Sequence, residues 1–304
     1  MSNLKKILVF LLIIIAIYLF IANWFFPFRI TEFTSQPRNS NFNLNSSNLV
    51  EMQFYENMRF PYPNISYKIE ECILAKQDEM KRAFDLLENS TILSFYPVYE
   101  NEELTITCDS HSKLKEGMFI GGEGGPTNIT RTDKFSVITK GSILLLKETQ
   151  CKNPNIALHE LLHTTGFNHS SNRNNIMFPV VKCDQTIGED IITLINELYS
   201  YPTYPDLSFE NVSTAMEGRF LDLNMTIRNH GLIKSGVGNV KIYADDQEIK
   251  TLPLSEIEIG AGRMLVLSNV FITKINFDKF ELIIEYDGEE LDKQNNIFTL
   301  KIKK

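Results

Sequence analysis

NIALHELLHTTGFNHSSNRNNIMFPV, running from Asn155 to Val180, is the stretch whose reading decides the rest of the chain. His159 and His163 are four residues apart in an apolar, helix-forming run, so both imidazoles project from one face of a helix and can grip a single ion. Glu160 sits between them. Gly166 follows three residues after His163, where a helix commonly ends on a left-handed glycine, and the chain then turns to bring His169 back as a third nitrogen. Three neutral protein ligands leave the fourth position of a tetrahedral Zn²⁺ open to water, which is the catalytic arrangement and not the closed structural one. Glu160 is placed to take that water's proton. HExxH alone arises by chance on the order of once per hundred chains of this length, and requiring Gly166 and His169 as well lowers that roughly a thousandfold.

HELLHTTGFNHS followed by NNIMFP resembles the metzincin zinc peptidases, and Ile176, Met177, Phe178 and Pro179 are similar to the matrixin form of their methionine turn. The resemblance implies one catalytic Zn²⁺ on His159, His163 and His169, with Glu160 as general base. It also implies that Met177 is an apolar floor beneath the metal and not a ligand, and that Pro179, Val180 and Val181 wall the substrate pocket beyond the cleaved bond. The region from His111 to Lys147 departs from the family: His111 is its one histidine and GGEGGPTNIT occupies it. No second zinc and no calcium is therefore carried over. No cysteine precedes Cys72, so the switch cysteine that keeps many matrixins latent is not expected.

A chain of 304 residues has room for about two domains, and 43% hydrophobic with 11% aromatic residues is globular composition. A formal charge of −8 leaves no basic footprint for nucleic acid. Residues 1–29 differ from the rest. Ile7 to Phe26 is a twenty-residue run with Asn23 its clearly polar member, long enough to cross a hydrocarbon layer of about 30 Å. Lys5 and Lys6 precede it and Trp24 ends it, which predicts an uncleaved, single-pass anchor with the bulk of the chain outside the cell membrane; a cleaved signal peptide is the rival reading. Residues 30–50 are Asn- and Ser-rich and read as a flexible tether.

Within residues 51–202 the predicted order is strand (Ile65 to Glu70), helix (Ala75 to Leu87), strand (Thr91 to Tyr96) and strand (Glu103 to Cys108), the opening order of the matrixin fold. Gly121, Gly122, Gly124 and Gly125 read as a loop beside the edge strand of the cleft, with one or two strands from Phe135 to Leu146. Glu189 to Tyr199 is an amphipathic helix with candidate caps at Asp184 to Thr186. Four cysteines in an outward-facing domain imply two disulfides, for which three connectivities exist. Cys151 and Cys183 bracket the metal motif, which favours their pairing and leaves Cys72 with Cys108.

YPTYPD marks a boundary near Thr203, beyond which the period changes to two: Leu221, Leu223, Met225 and Ile227 alternate with polar residues, as do Phe280, Leu282, Ile284 and Tyr286. About seven short strands over residues 203–304 predict an immunoglobulin-like sandwich. TIRNHG, IGAG and the run Asp292 to Asn296 resemble the CARDB domain of prokaryotic surface proteins, which implies a cell-surface ligand for this part. His230 reads as a solvated turn residue. Seven sequons, at Asn45, Asn64, Asn89, Asn128, Asn168, Asn211 and Asn224, give weak support to an outside location.

The expected fold class is α+β: a metzincin-type peptidase domain, with a twisted mixed sheet and an active-site helix, then an all-β sandwich, after an N-terminal transmembrane helix. The expected function is a membrane-anchored, outward-facing zinc endopeptidase acting on peptide or protein substrates. The competing readings are a surface adhesion protein with a vestigial zinc domain and a non-peptide zinc hydrolase; the latter accounts for the ion but not for the methionine turn.

Overall fold

The computed structural model describes residues 3–25, 30–31, 33–35, 52–110, 114–115, 118–146, 151–273 and 277–302. His111 and most of the expected tether lie outside these residues. The chain forms two compact units, one of residues 43–205 with 230–233, the other of 1–42, 206–229 and 234–304.

Helix α1 (Asn3–Phe25) has 23 residues, about 35 Å at helical rise, and is apolar enough to cross a bilayer. Its length and composition suit a membrane anchor or a signal sequence. Two short strands follow, β1 (Ile30–Thr31) and β2 (Phe33–Ser35).

The first unit contains β3 (Met58–Arg59), β4 (Asn64–Glu70), α2 (Leu74–Ser90), β5 (Ser94–Pro97), β6 (Leu104–Cys108), β7 (Leu114–Lys115), β8 (Met118–Phe119), β9 (Gly122–Arg131), β10 (Ser136–Leu145), α3 (Asn155–Thr164) and α4 (Glu189–Ser200). The main sheet runs β5-β4-β6-β10, with β3 beside the start of β10, and every one of these pairings is parallel. Strand β9 alone runs antiparallel, along β10. Helix α2 forms because Met80, Ala83, Phe84 and Leu87 recur at helical spacing, and all four are buried in one core with Ile65, Ile106, Leu161 and Leu162. Each large apolar side chain buried there contributes roughly 1.5–3 kcal/mol.

Two buried cations tie this unit together. Lys76 donates from Nζ to the carbonyls of Asp109 (2.7 Å), Leu145 (3.1 Å) and Leu146 (3.3 Å), joining the ends of β6 and β10. Arg59, 1% exposed, donates to Leu198 O and Tyr201 O and lies over the Tyr199 ring, so it satisfies carbonyls at the end of α4 that the helix leaves open. Disulfides join Cys72 to Cys108 and Cys151 to Cys183, the pairing that the position of the metal motif favours.

Three local expectations need correction. The glycine-rich segment is not a loop beside the edge strand; it is the edge strand, β9, and residues 136–145 form one strand, not two. Helix α4 begins after Gly188 without a side-chain cap, and Thr186 instead exchanges backbone bonds with residues 174–176. Glu189 and Asp190, in the first turn, supply the negative charge that a helix N-terminus favours. His230 is not solvated: it is buried, and its carbonyl accepts a bond from Thr132 Oγ1 at 3.0 Å.

The second unit contains seven strands after the boundary, as expected: β11 (Leu207–Glu217), β12 (Phe220–Asn229), β13 (Gly238–Ala244), β14 (Gln247–Leu254), β15 (Gly262–Phe271), β16 (Lys279–Glu285) and β17 (Ile297–Ile302). They form two sheets, β1-β11-β12-β15 and β14-β13-β16-β17-β2, whose inward residues, among them Phe209, Leu223, Ile242 and Leu282, make a single core. The start of the supposed tether is thus not free. β1 pairs with β11 and β2 with β17, and the Phe33 ring sits 5.4 Å from that of Phe280, an apolar anchor inside a polar stretch.

Glu290 is buried beside the first strand of this sandwich, accepting from Leu207 N and Asn296 Nδ2. Burial pushes its carboxyl up to about 7, against the effect of those two donors and with Asp206 adding to it. An acid whose folded value exceeds its ordinary one near 4.5 holds its proton better when folded. Its contribution is full below about 4.5 and is lost as the pH rises through about 7. The unfolding transition of the sandwich is therefore expected to weaken by on the order of 1–3 kcal/mol from pH 4.5 to 8, and Glu290→Gln should flatten that slope in thermal unfolding. An unchanged slope in the variant would assign the effect elsewhere.

Candidate metal centre

Helix α3 holds the first two histidines. Its apolar face, Ala157, Leu158, Leu161 and Leu162, is buried in the core, and His159, Glu160 and His163 are themselves buried. The helix stops because Gly166 takes φ +103°, a conformation that side chains with a Cβ rarely adopt. Gly166 N donates to His163 O and Phe167 N to Leu162 O, the paired bonds of a Schellman ending. The chain reverses there and returns His169 toward the helix.

That reversal also fixes the second histidine. His163 Nδ1 donates to Phe167 O at 2.8 Å, and His159 Nδ1 donates to Ile176 O at 2.6 Å. A carbonyl only accepts, so each Nδ1 carries the proton and each Nε2 keeps a bare lone pair. The two bare nitrogens lie 3.0 Å apart, and His169 Nε2 is 3.2 Å from that of His163. Lone pairs at this separation repel unless a cation lies between them. Two nitrogens on a tetrahedral Zn²⁺, each about 2.0–2.1 Å from it, would stand roughly 3.3 Å apart, so the donor set fits that ion.

Protonation follows the same logic. Burial lowers the pKa of His159 and His169, and it takes His163 down to about 4 with the neighbouring imidazole of His159 adding to the shift. Each shift favours the neutral imidazole, the state a ligand requires. Burial pushes the Glu160 carboxyl up to about 7, with Glu123 adding and the Gly124 N–H opposing. A divalent cation on the three nitrogens acts the other way and favours the carboxylate.

Met177 is fully buried beside these ligands. Its turn is built by Asn175, whose Oδ1 accepts from Met177 N at 2.9 Å, and by Ser170 N, which donates to Met177 O at 2.8 Å. The turn thus presents Ile176 O to His159 while burying the methionine. Pro179 and Val180 are exposed and Val181 is half-buried; Gln185, 2% exposed, donates to Val180 O and accepts from Lys182 N, fixing that segment. Asn155 Nδ2 donates to Lys182 O, so the start of α3 is joined to the same segment that the Cys151–Cys183 bridge closes. A cavity of about 260 Å³ opens beside His169, lined by Met52, Phe167, Met177, Asp190 and Ile191 among others; Glu160 and His163 do not line it, so it is not the reacting face.

The glycines of β9 explain themselves at this point. A Cβ on Gly122 would meet Glu160 Cγ at 2.7 Å, and one on Gly124 would meet Glu160 O at 2.4 Å. The edge strand therefore lies directly against the turn of α3 that carries Glu160, and only glycine permits that approach. Three contributors beyond the motif carry no signal in the sequence: Gln53, Phe54 and Gln185. None belongs to a periodic pattern; Gln53 and Phe54 act through contacts with residues 163–167, and Gln185 through bonds to Val180 and Lys182.

Residues 60–200 match the sequence model of the Matrixin peptidase family, and residues 204–300 match that of CARDB, in that order along the chain. No curated protein matches the chain.

The two neighbouring glycines provide a paired test. Gly124→Ala must displace the backbone of α3 and is expected to cost about 1–3 kcal/mol with a fall in metal affinity. Gly125→Ala meets nothing within 4 Å and should change stability by no more than about 0.5 kcal/mol. Denaturant midpoints and metal content of the two proteins check this; equal effects would refute the close approach of β9 to α3.

Proposed function

We propose that this chain, a matrixin domain over residues 60–200 followed by a CARDB domain over 204–300, is a membrane-anchored zinc endopeptidase whose catalytic unit faces outward. The observation that carries the reading is the convergence of the Nε2 atoms of His159, His163 and His169, with Glu160 on the same helix packed against the edge strand. Lys5 and Lys6 at the start of α1 favour a cytoplasmic amino terminus, and two disulfides suit an oxidising compartment.

His159, His163 and His169 would hold a Zn²⁺, which would supply Lewis-acid polarisation of the scissile carbonyl and a lowered pKa for water, toward about 7. The residues of the chain do the rest. Glu160 accepts a proton from the attacking water on a carboxylate oxygen and delivers it to the leaving nitrogen, a role served by a carboxyl poised near neutrality. Among the described residues β9 pairs on one side with β10, so its other edge can bind an extended peptide as an added antiparallel strand. Pro179, Val180 and Val181, held by Gln185, form one wall of the pocket that receives the substrate side chain. Met177 packs and does not coordinate.

Metal content measured against turnover in the same preparations tests the assignment. His163→Ala should lose both zinc and peptide cleavage. Glu160→Ala keeps all three nitrogens and should retain about one zinc per chain while cleaving more slowly by roughly 10² to 10⁴. A wild-type protein that binds zinc, cuts nothing across a broad peptide library and behaves identically to Glu160→Ala would replace this reading with a surface-binding module.

A further inference from the structure

The segment ahead of β3, Met52 to Tyr55, is laid across the metal centre. Gln53 pairs with Phe167 as an isolated antiparallel bridge, Phe54 N donates to Gly166 O at 2.9 Å, and Asn168 N donates to Met52 O at 2.8 Å. Gln53 is buried and bonds both backbone groups of Met58, through Nε2 to the carbonyl and Oε1 from the amide. The strap therefore grips Gly166, Phe167 and Asn168, the connection between His163 and His169. Phe167 O is also the acceptor of His163 Nδ1.

Phe54 adds a direct contact. Its ring stacks on the imidazole of His163, with centroids 5.7 Å apart and planes 26° from parallel. At 39% exposure it is too open to be held by core burial, and what it covers is the face of a ligand. Beside it, the Arg131 guanidinium at the end of β9 lies 4.9 Å from the Tyr55 ring centre, so the strap is joined to the edge strand as well. All four residues precede the matched Matrixin segment, which starts at residue 60.

We propose that Phe54 is a positioning residue of the metal centre: its ring and the strap that carries it hold the His163 imidazole and the 166–168 turn in ligating geometry and keep water from the imidazole face. This rests on the three-histidine reading above. The physical basis is general, since groups around a ligand fix its orientation and set the access of solvent to it, and their loss commonly costs about 10–100-fold in metal affinity.

The test uses the full chain in detergent, loaded with Zn²⁺, and follows transfer of the ion to an excess of a chelating dye. Phe54→Ala should release Zn²⁺ about 10–100-fold faster than wild type, Phe54→Tyr, which keeps the ring, should release it at close to the wild-type rate, and the metal-free Tm of both should match wild type. Wild-type release from Phe54→Ala, or equally fast release from both variants, would overturn the proposal. So would a drop in the metal-free Tm of Phe54→Ala, which would make the residue a packing group. A wild-type chain that takes up no Zn²⁺ would instead bring down the metal-centre reading, and the proposal with it.

Discussion

Two hydrogen bonds orient the histidines of the proposed metal centre: His159 Nδ1 to Ile176 O and His163 Nδ1 to Phe167 O. Each removes one of two tautomers and points the other nitrogen at the same spot. Their acceptors come from different places. Phe167 O is delivered by the end of α3 itself, because Gly166 reverses the chain three residues after His163. Ile176 O is delivered by the methionine turn, which Asn175, Ser170 and Thr186 hold. The helix supplies the spacing of the two imidazoles, and the two turns supply their orientation.

The site also depends on how closely an edge strand can approach a helix. Glycines at 122 and 124 bring β9 onto the turn carrying Glu160, where the Gly124 N–H reaches the carboxylate. The approach buries Glu160 and raises its pKa, while a cation on the histidines would lower it again. These opposing effects are of the kind that leave a carboxyl able both to take and to return a proton near neutrality. The glycines at 122 and 124 are there for packing against the helix.

Much of this was legible because it is local. HExxH on an apolar helix, a glycine three residues on, a third histidine and a methionine turn all depend on spacing along one short stretch, and the period-two pattern from Leu221 to Ile227 fixes a strand in the same way. What stayed hidden depends on segments far apart in sequence. Gly122 and Gly124 look like loop residues until α3, more than thirty residues later, is packed on them. Phe33 and Phe54 lie in stretches without periodicity, and their partners are Phe280 and His163. Lys76, Arg59 and His230 read as surface residues by type, and each is buried because backbone carbonyls or neighbouring packing receive it.

X-ray absorption at the zinc edge of the full-length protein tests the central claim most directly. The account predicts about one zinc per chain in a four-coordinate shell, with three imidazole nitrogens at about 2.0–2.1 Å, one further light atom and no sulfur. A sulfur scatterer, an oxygen-only shell of six, or fewer than three imidazoles around the ion would contradict it.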